Sequence, residues 1–186
     1  LDAFFNNLTE NKIHIVSISF YPKGNQGRLK TISSSSDETA VLDFIKAKNF
    51  NSNFQIQHLE FIIDTPVKIK IDSKEKYVAA GPYKVKCDQN NIYISLLRKE
   101  SLFGCSEGTY AIHPHTCTTN SPTQLFQYTR GCLGEATSLL YNAFKKNDLK
   151  LILLSAMTWV TSANSSDPWG RKLSLIHISE PTRPRL

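Results

Sequence analysis

Lys84-Val85-Lys86-Cys87-Asp88-Gln89-Asn90-Asn91-Ile92-Tyr93-Ile94-Ser95-Leu96 decides the fold. Lysines alternate with apolar residues up to Cys87, four turn formers follow, and a β-branched run begins at Ile92, which together predict an antiparallel hairpin. Upstream, Val67-Lys68-Ile69-Lys70-Ile71 keeps the same period of two, and residues 59–63 form another expected strand. Residues 13–20 are rich in β-branched side chains and predict a strand with Val16, Ile18 and Phe20 on one face. Lys23-Gly24-Asn25-Gln26-Gly27 is a turn. Ser35 with Glu38 makes a capping box ahead of Ala40, Val41, Phe44 and Ile45, so a short helix is expected over 37–47.

Downstream of residue 135 the period changes to that of a helix. Ala136, Leu139, Leu140, Ala143 and Phe144 predict an amphipathic helix that ends at Lys145-Lys146-Asn147, with cations at its negative pole. Asp148 is placed to cap a second helix. In it Leu149, Leu151, Ile152, Leu153, Leu154, Met157, Trp159 and Val160 are apolar nearly all round, so it should be the more deeply buried. Its apolar run of about 13 residues falls short of the roughly 20 that span a bilayer. The fold class expected is α+β: an antiparallel β-meander with a helix in its N-terminal part and two C-terminal helices.

The net charge is +6. Its cations are mostly lysines alternating with apolar residues, as at Lys68, Lys70, Lys84 and Lys86, the pattern of a solvated sheet face. Before residue 173 the arginines are Arg28, Arg98, Arg130 and Arg171, with no cluster and no interleaved aromatics, so nucleic acid is not the expected partner. The 4 cysteines, Cys87, Cys105, Cys117 and Cys132, have no C-x-x-C spacing and read as reduced thiols of a cytoplasmic protein.

Cys132 stands in Gly131-Cys132-Leu133-Gly134, between a polar stretch and a helix start. Unpaired helix amides, and Arg130 two residues away, would favour its thiolate, and the flanking glycines would let a partner's backbone approach. The competing reading makes Cys132 a small buried hydrophobe at a tight turn. In His113-Pro114-His115 the histidines either hold the turn by hydrogen bonds or take part in catalysis, His115 donating to an oxyanion or accepting a proton from an amine. A third alternative is a zinc site of His113, His115, Cys117 and Cys132. The His-x-His-Pro and Ser-x-x-Asp pattern of JAMM-type metalloproteases is missing, as is the Pro-Cys-x-x-Cys of cytidine deaminases.

Meander strands at 81–87 and 92–96, a His113-Pro114-His115 turn, a Gly131-Cys132-Leu133 segment and two helices, in that order, resemble the ubiquitin-conjugating-enzyme fold, in particular the divergent conjugating-enzyme-like proteins of phages and mobile elements. The resemblance covers roughly residues 76–171. It implies that Cys132 accepts a ubiquitin-like modifier as a thioester from a ThiF-like activating enzyme and passes it to an amine. His115 stands where the family has an asparagine that steadies the oxyanion, and the stretch from Thr116 to Arg130 is longer than the family's link. Asn164 to Arg171 is similar to an Asn/Asp-rich segment that the family packs near its cysteine. The same resemblance leaves open a non-catalytic protein-binding module of the RWD type, in which Cys132 is structural.

Residues 173–186 resemble the translated read-through of a sequencing-library adapter and are expected to trail outside the domain. The organisation expected is thus 1–75 as the N-terminal part of the domain or an extension, 76–172 as the conjugating-enzyme-like region, cut short at its C-terminus, and 173–186 as an artefactual tail.

Overall fold

The structure is a computed structural model that describes residues 2–22, 28–33, 41, 43–45, 54–72, 77–101, 103–106, 109–117 and 119–163. The turn at 23–27, the segment 164–171 and the tail from 173 lie outside the described residues, as does most of the expected helix at 37–47. Within that helix Val41, Asp43, Phe44 and Ile45 are helical.

Helix α1 (Asp2–Glu10) opens the chain and was not anticipated. It buries Phe5 and Leu8 and ends at Lys12, whose φ of 59° turns the backbone out of the helix. Then come β1 (Ile13–Pro22), β2 (Lys30–Ser33), β3 (Phe54–Ile63), β4 (Val67–Ile71), β5 (Tyr77–Cys87) and β6 (Ile92–Ser101). All of these pair in one sheet, antiparallel throughout. Strands β3 and β4 pair with successive lengths of β5, while β6 takes the other edge of β5.

Two strands depart from the sequence expectation. In β1 a register shift between Ile15 and Ser17 moves Val16 off the core face, so that Ile13 and Ile15 are buried before it and Ile18 and Phe20 after it. Strand β3 starts at Phe54 rather than residue 59, and a register shift at Gln57 brings Ile56 and Phe54 onto the inward side with Leu59, Phe61 and Ile63. The hairpin at 88–91 forms as expected. Asp88 Oδ1 accepts the backbone N–H groups of Asn90 (2.8 Å) and Asn91 (2.9 Å), an Asx turn that closes β5 onto β6.

After a small hairpin of β7 (Phe103–Ser106) and β8 (Thr109–Ala111), a turn at 112–116 and a 3₁₀ helix (Pro122–Phe126), the two-residue strand β9 (Thr129–Arg130) joins the edge of β6. The C-terminal helices are α2 (Ala136–Lys145) and α3 (Leu149–Val160). Asp148 caps α3 by accepting Leu151 N–H. As expected, α3 is the more buried, with Leu149, Ile152, Leu153, Ala156, Trp159 and Val160 in the core, against Leu140, Ala143 and Phe144 from α2. The stripe on α2 is narrower than its spacing suggests, for Leu139 is 52 % exposed.

Beyond α3, β10 (Ser162–Ala163) adds in parallel to β4, so the sheet is antiparallel except at this edge. The architecture is mixed α+β with a largely antiparallel sheet. Among the described residues no helix is long and apolar enough to cross a membrane.

Candidate functional site

The end of α3, the 112–116 turn and the segment after β9 meet beside Cys132. His113 is fully buried, and both of its ring nitrogens are engaged. Its Nε2 lies 2.6 Å from the Val160 carbonyl, and its Nδ1 accepts the His115 N–H at 3.1 Å. A carbonyl only accepts, so Nε2 carries the proton and the ring is neutral. Burial, followed by the neighbouring His115, pushes the His113 pKa down to about 3, against a smaller opposing effect of the Val160 carbonyl. Protonating Nδ1 would also set two N–H groups against each other.

Around this ring the turn closes on itself. Thr116 Oγ1 donates to the His113 carbonyl at 2.8 Å and accepts the His113 N–H at 3.2 Å. The Tyr83 hydroxyl, buried in β5, donates to the Ile112 carbonyl at 2.6 Å, and burial raises its pKa. Trp159 stacks on the His113 ring, with centroids 4.7 Å apart and planes 13° from parallel. His115 is half-buried, its ring centroid 5.1 Å from that of His113 and 5.3 Å from that of Trp159.

Cys132 is held through its backbone. Its N–H donates to the His115 carbonyl at 2.8 Å, and its own carbonyl accepts from Trp159 Nε1 at 2.9 Å. Gly131 N–H donates to Ile92 at 2.8 Å. A Cβ on Gly131 would stand 2.1 Å from Trp159 Cζ2, so the indole requires a glycine here. The Cys132 side chain is exposed, as is that of Cys117, whereas Cys87 is buried in β5 and its thiol pKa is raised by burial and then by Asp88.

The helix start behind Cys132 also differs from expectation. Gly134, at φ 53°, makes a turn in which Leu133 accepts the Ala136 N–H and Gly134 accepts the Thr137 N–H and hydroxyl. Those first amides of α2 answer the turn rather than Cys132. The residues weighed for zinc are not gathered into a metal centre. Among the described residues no three His, Cys, Asp or Glu side chains converge to hold an ion, and His113 has no lone pair to spare.

Trp159, Val160, Thr116 and Tyr83 were missed as site residues. From the sequence, Trp159 was legible only as part of the apolar face of a helix, and nothing marked the Val160 carbonyl.

On the outer face of the sheet, Tyr128 leads into β9. Its hydroxyl donates to Glu60 Oε1 at 2.8 Å, and its ring lies under Lys84 Nζ (5.4 Å) and Lys86 Nζ (5.2 Å). Burial and then Glu60 hold the Tyr128 phenol well above its usual pKa. Lys84 and Lys86 are therefore half-buried against an aromatic ring, while Lys68 and Lys70 are exposed as their alternation suggested.

Comparison with known proteins finds no matching protein family, no matching curated protein and no matching solved structure.

Proposed function

We propose that Cys132 is an acyl acceptor: its thiolate takes a ubiquitin-like modifier from a ThiF-like activating enzyme as a thioester and yields it to an amine. The observation that carries this reading is an exposed thiol on a backbone fixed at both its N–H and its C=O. A nucleophile gains from such fixing because the approach of the carbonyl carbon is set before the reaction starts. In this reading His113, neutral and locked, is a positioning residue. Half-buried His115 takes the task of the family's asparagine, either donating to the oxyanion or accepting the amine's proton.

The resemblance in the order of parts supports the reading, and the longer link between turn and cysteine is accommodated by the 3₁₀ helix and β9. The second reading, a non-catalytic binding module, is favoured by the same hydrogen bonds, since His113, Trp159 and Gly131 also make a sound structural joint.

Charging decides between them. The full chain, incubated with a ubiquitin-like modifier, its activating enzyme and ATP, should give a higher-mass band that reducing agent removes. Cys132→Ser should convert it into a reductant-resistant ester or abolish it. His115→Ala should slow transfer to an amine more than it slows charging. A folded chain that never charges with any ThiF-like activating enzyme and its modifier leaves the binding module as the function.

A further inference from the structure

We infer that the free edge of β9 is a docking rail for the extended C-terminal tail of the acyl donor, which pairs in parallel with Arg130 and so delivers its terminal carbonyl to Cys132; this rests on the acceptor role proposed for that cysteine. The argument is one of register. Strand β9 pairs with β6 through Tyr93 opposite Arg130 and Ile94 opposite Thr129, and Gly131 N–H donates to the Ile92 carbonyl. In an antiparallel ladder, hydrogen-bonded and non-hydrogen-bonded pairs alternate. Gly131 and Ile92 form a bonded pair, so Tyr93 and Arg130 form an unbonded one, and the Arg130 N–H and C=O face away from β6. Strand β9 has β6 as its strand partner, and Arg130 is exposed. Among the described residues a donor and an acceptor therefore stand together on an open edge, the arrangement that captures extended peptides by strand addition.

The position of the edge fixes the occupant. It runs directly into Cys132, whose own N–H and C=O are taken by His115 and Trp159, so a tail cannot pair at the cysteine itself. Arg130 lies two residues before the thiol, roughly 7 Å at strand rise. A tail that enters alongside Tyr128 and runs parallel to β9 then has its third-last residue level with Arg130, and its last two residues leave the edge ahead of His115 and span that distance to Sγ. The penultimate N–H donates to the Arg130 carbonyl, the fourth-last carbonyl accepts the Arg130 N–H, and the third-last N–H points outward. In the transfer, Sγ bonds to the tail's acyl carbon as the bond from that carbon to the donor thiol breaks, and the departing thiolate takes up the proton that Cys132 lost.

The probe is a pentaalanine thioester of mercaptoethanesulfonate, added to the full chain, with acylation followed by mass spectrometry at Cys132 and at exposed Cys117 as an internal reference. The unmodified peptide should acylate Cys132 faster than Cys117. N-methylation of the penultimate amide should slow Cys132 by about fivefold, the worth of one net hydrogen bond. N-methylation of the third-last amide should change little. Arg130→Pro should slow Cys132 by about tenfold without slowing Cys117, because an edge proline with its nitrogen facing solvent leaves the pairing to β6 intact. If that variant does not fold, the two methylated peptides still decide. Equal effects of the two methylations, with Cys132 still preferred, would overturn the rail and leave the acceptor role standing. No preference for Cys132 over Cys117 would overturn both.

Discussion

At the start of α3, Asn147 has a φ of 55° and a side chain that is buried against β3: its Oδ1 accepts the Ile56 N–H at 2.7 Å and its Nδ2 donates to the Phe54 carbonyl. At the other end of the helix, Trp159 reaches the Cys132 carbonyl, and the Val160 carbonyl receives His113. Both ends are polar clamps, the first between helix and sheet and the second between helix and loop. The first satisfies the edge of β3 where β5, which pairs no further along than Leu59, has stopped. The second clamps a loop that ends in an exposed thiol. The same device thus closes the fold at one end and presents a side chain to solvent at the other, and the functional reading belongs to the second end alone.

The comparison breaks first where the indole has no room. Gly131→Ala should cost about 3 kcal/mol, because the new methyl lies inside the van der Waals envelope of Trp159 and the indole is held by both His113 and Cys132. Urea midpoints measure this, and a loss below about 1 kcal/mol would mean that the clamp yields easily. Asn147→Ala should follow at about 2 kcal/mol, from two buried backbone groups of β3 left without partners and a left-handed backbone without its Asn. It should leave the alkylation rate of Cys132 at the wild-type value. A changed rate would show that the two clamps act as one.

What the sequence disclosed was local. The hairpin at 88–91 and the Asp148 cap are legible because turn chemistry and capping act within three residues. The alternation of β4 and the apolar girth of α3 are legible because each reports burial directly. Helix α1 escaped because Phe4, Phe5 and Leu8 among polar residues give too short a stripe to show a period. The bulge in β1 escaped because a register shift is set by the partner strand, not by the strand's own pattern. At the site, the cysteine and the histidine turn were visible, but the cysteine's exposure and the joint between the two were not. Trp159 meets Cys132 across 27 residues and Val160 meets His113 across 47, and no spacing rule spans such distances.

Acid should open the second clamp before the first. The pKa of His113 in the fold, about 3, lies below the ordinary histidine value, so the unfolded chain binds the extra proton more readily. Its stabilising contribution is complete above about pH 6.5 and is lost as pH falls from there toward about 3. Between pH 6.5 and 5 the wild type should lose roughly 2 kcal/mol from this group, at about 1.4 kcal/mol per unit. His113→Gln, which can still donate to Val160, should show that much less acid sensitivity in paired urea titrations. Equal slopes in the two proteins would mean that His113 is not held neutral.

The smallest effect is the most informative about the thiol. Trp159→Phe keeps a ring against His113, but it removes the Nε1 donor from the Cys132 carbonyl. One net hydrogen bond is worth about 1 kcal/mol, and stability should fall by about that much. The carbonyl of Cys132 would then be free to rotate, and the fixed presentation of Sγ would be lost with it. Acylation of Cys132 by a peptide thioester, which needs a set approach, should therefore slow by more than its alkylation by iodoacetamide, which needs only access. If both reactions change in the same ratio, Trp159 only supports the fold, and the clamp at this end of α3 does no more than Asn147 does at the other.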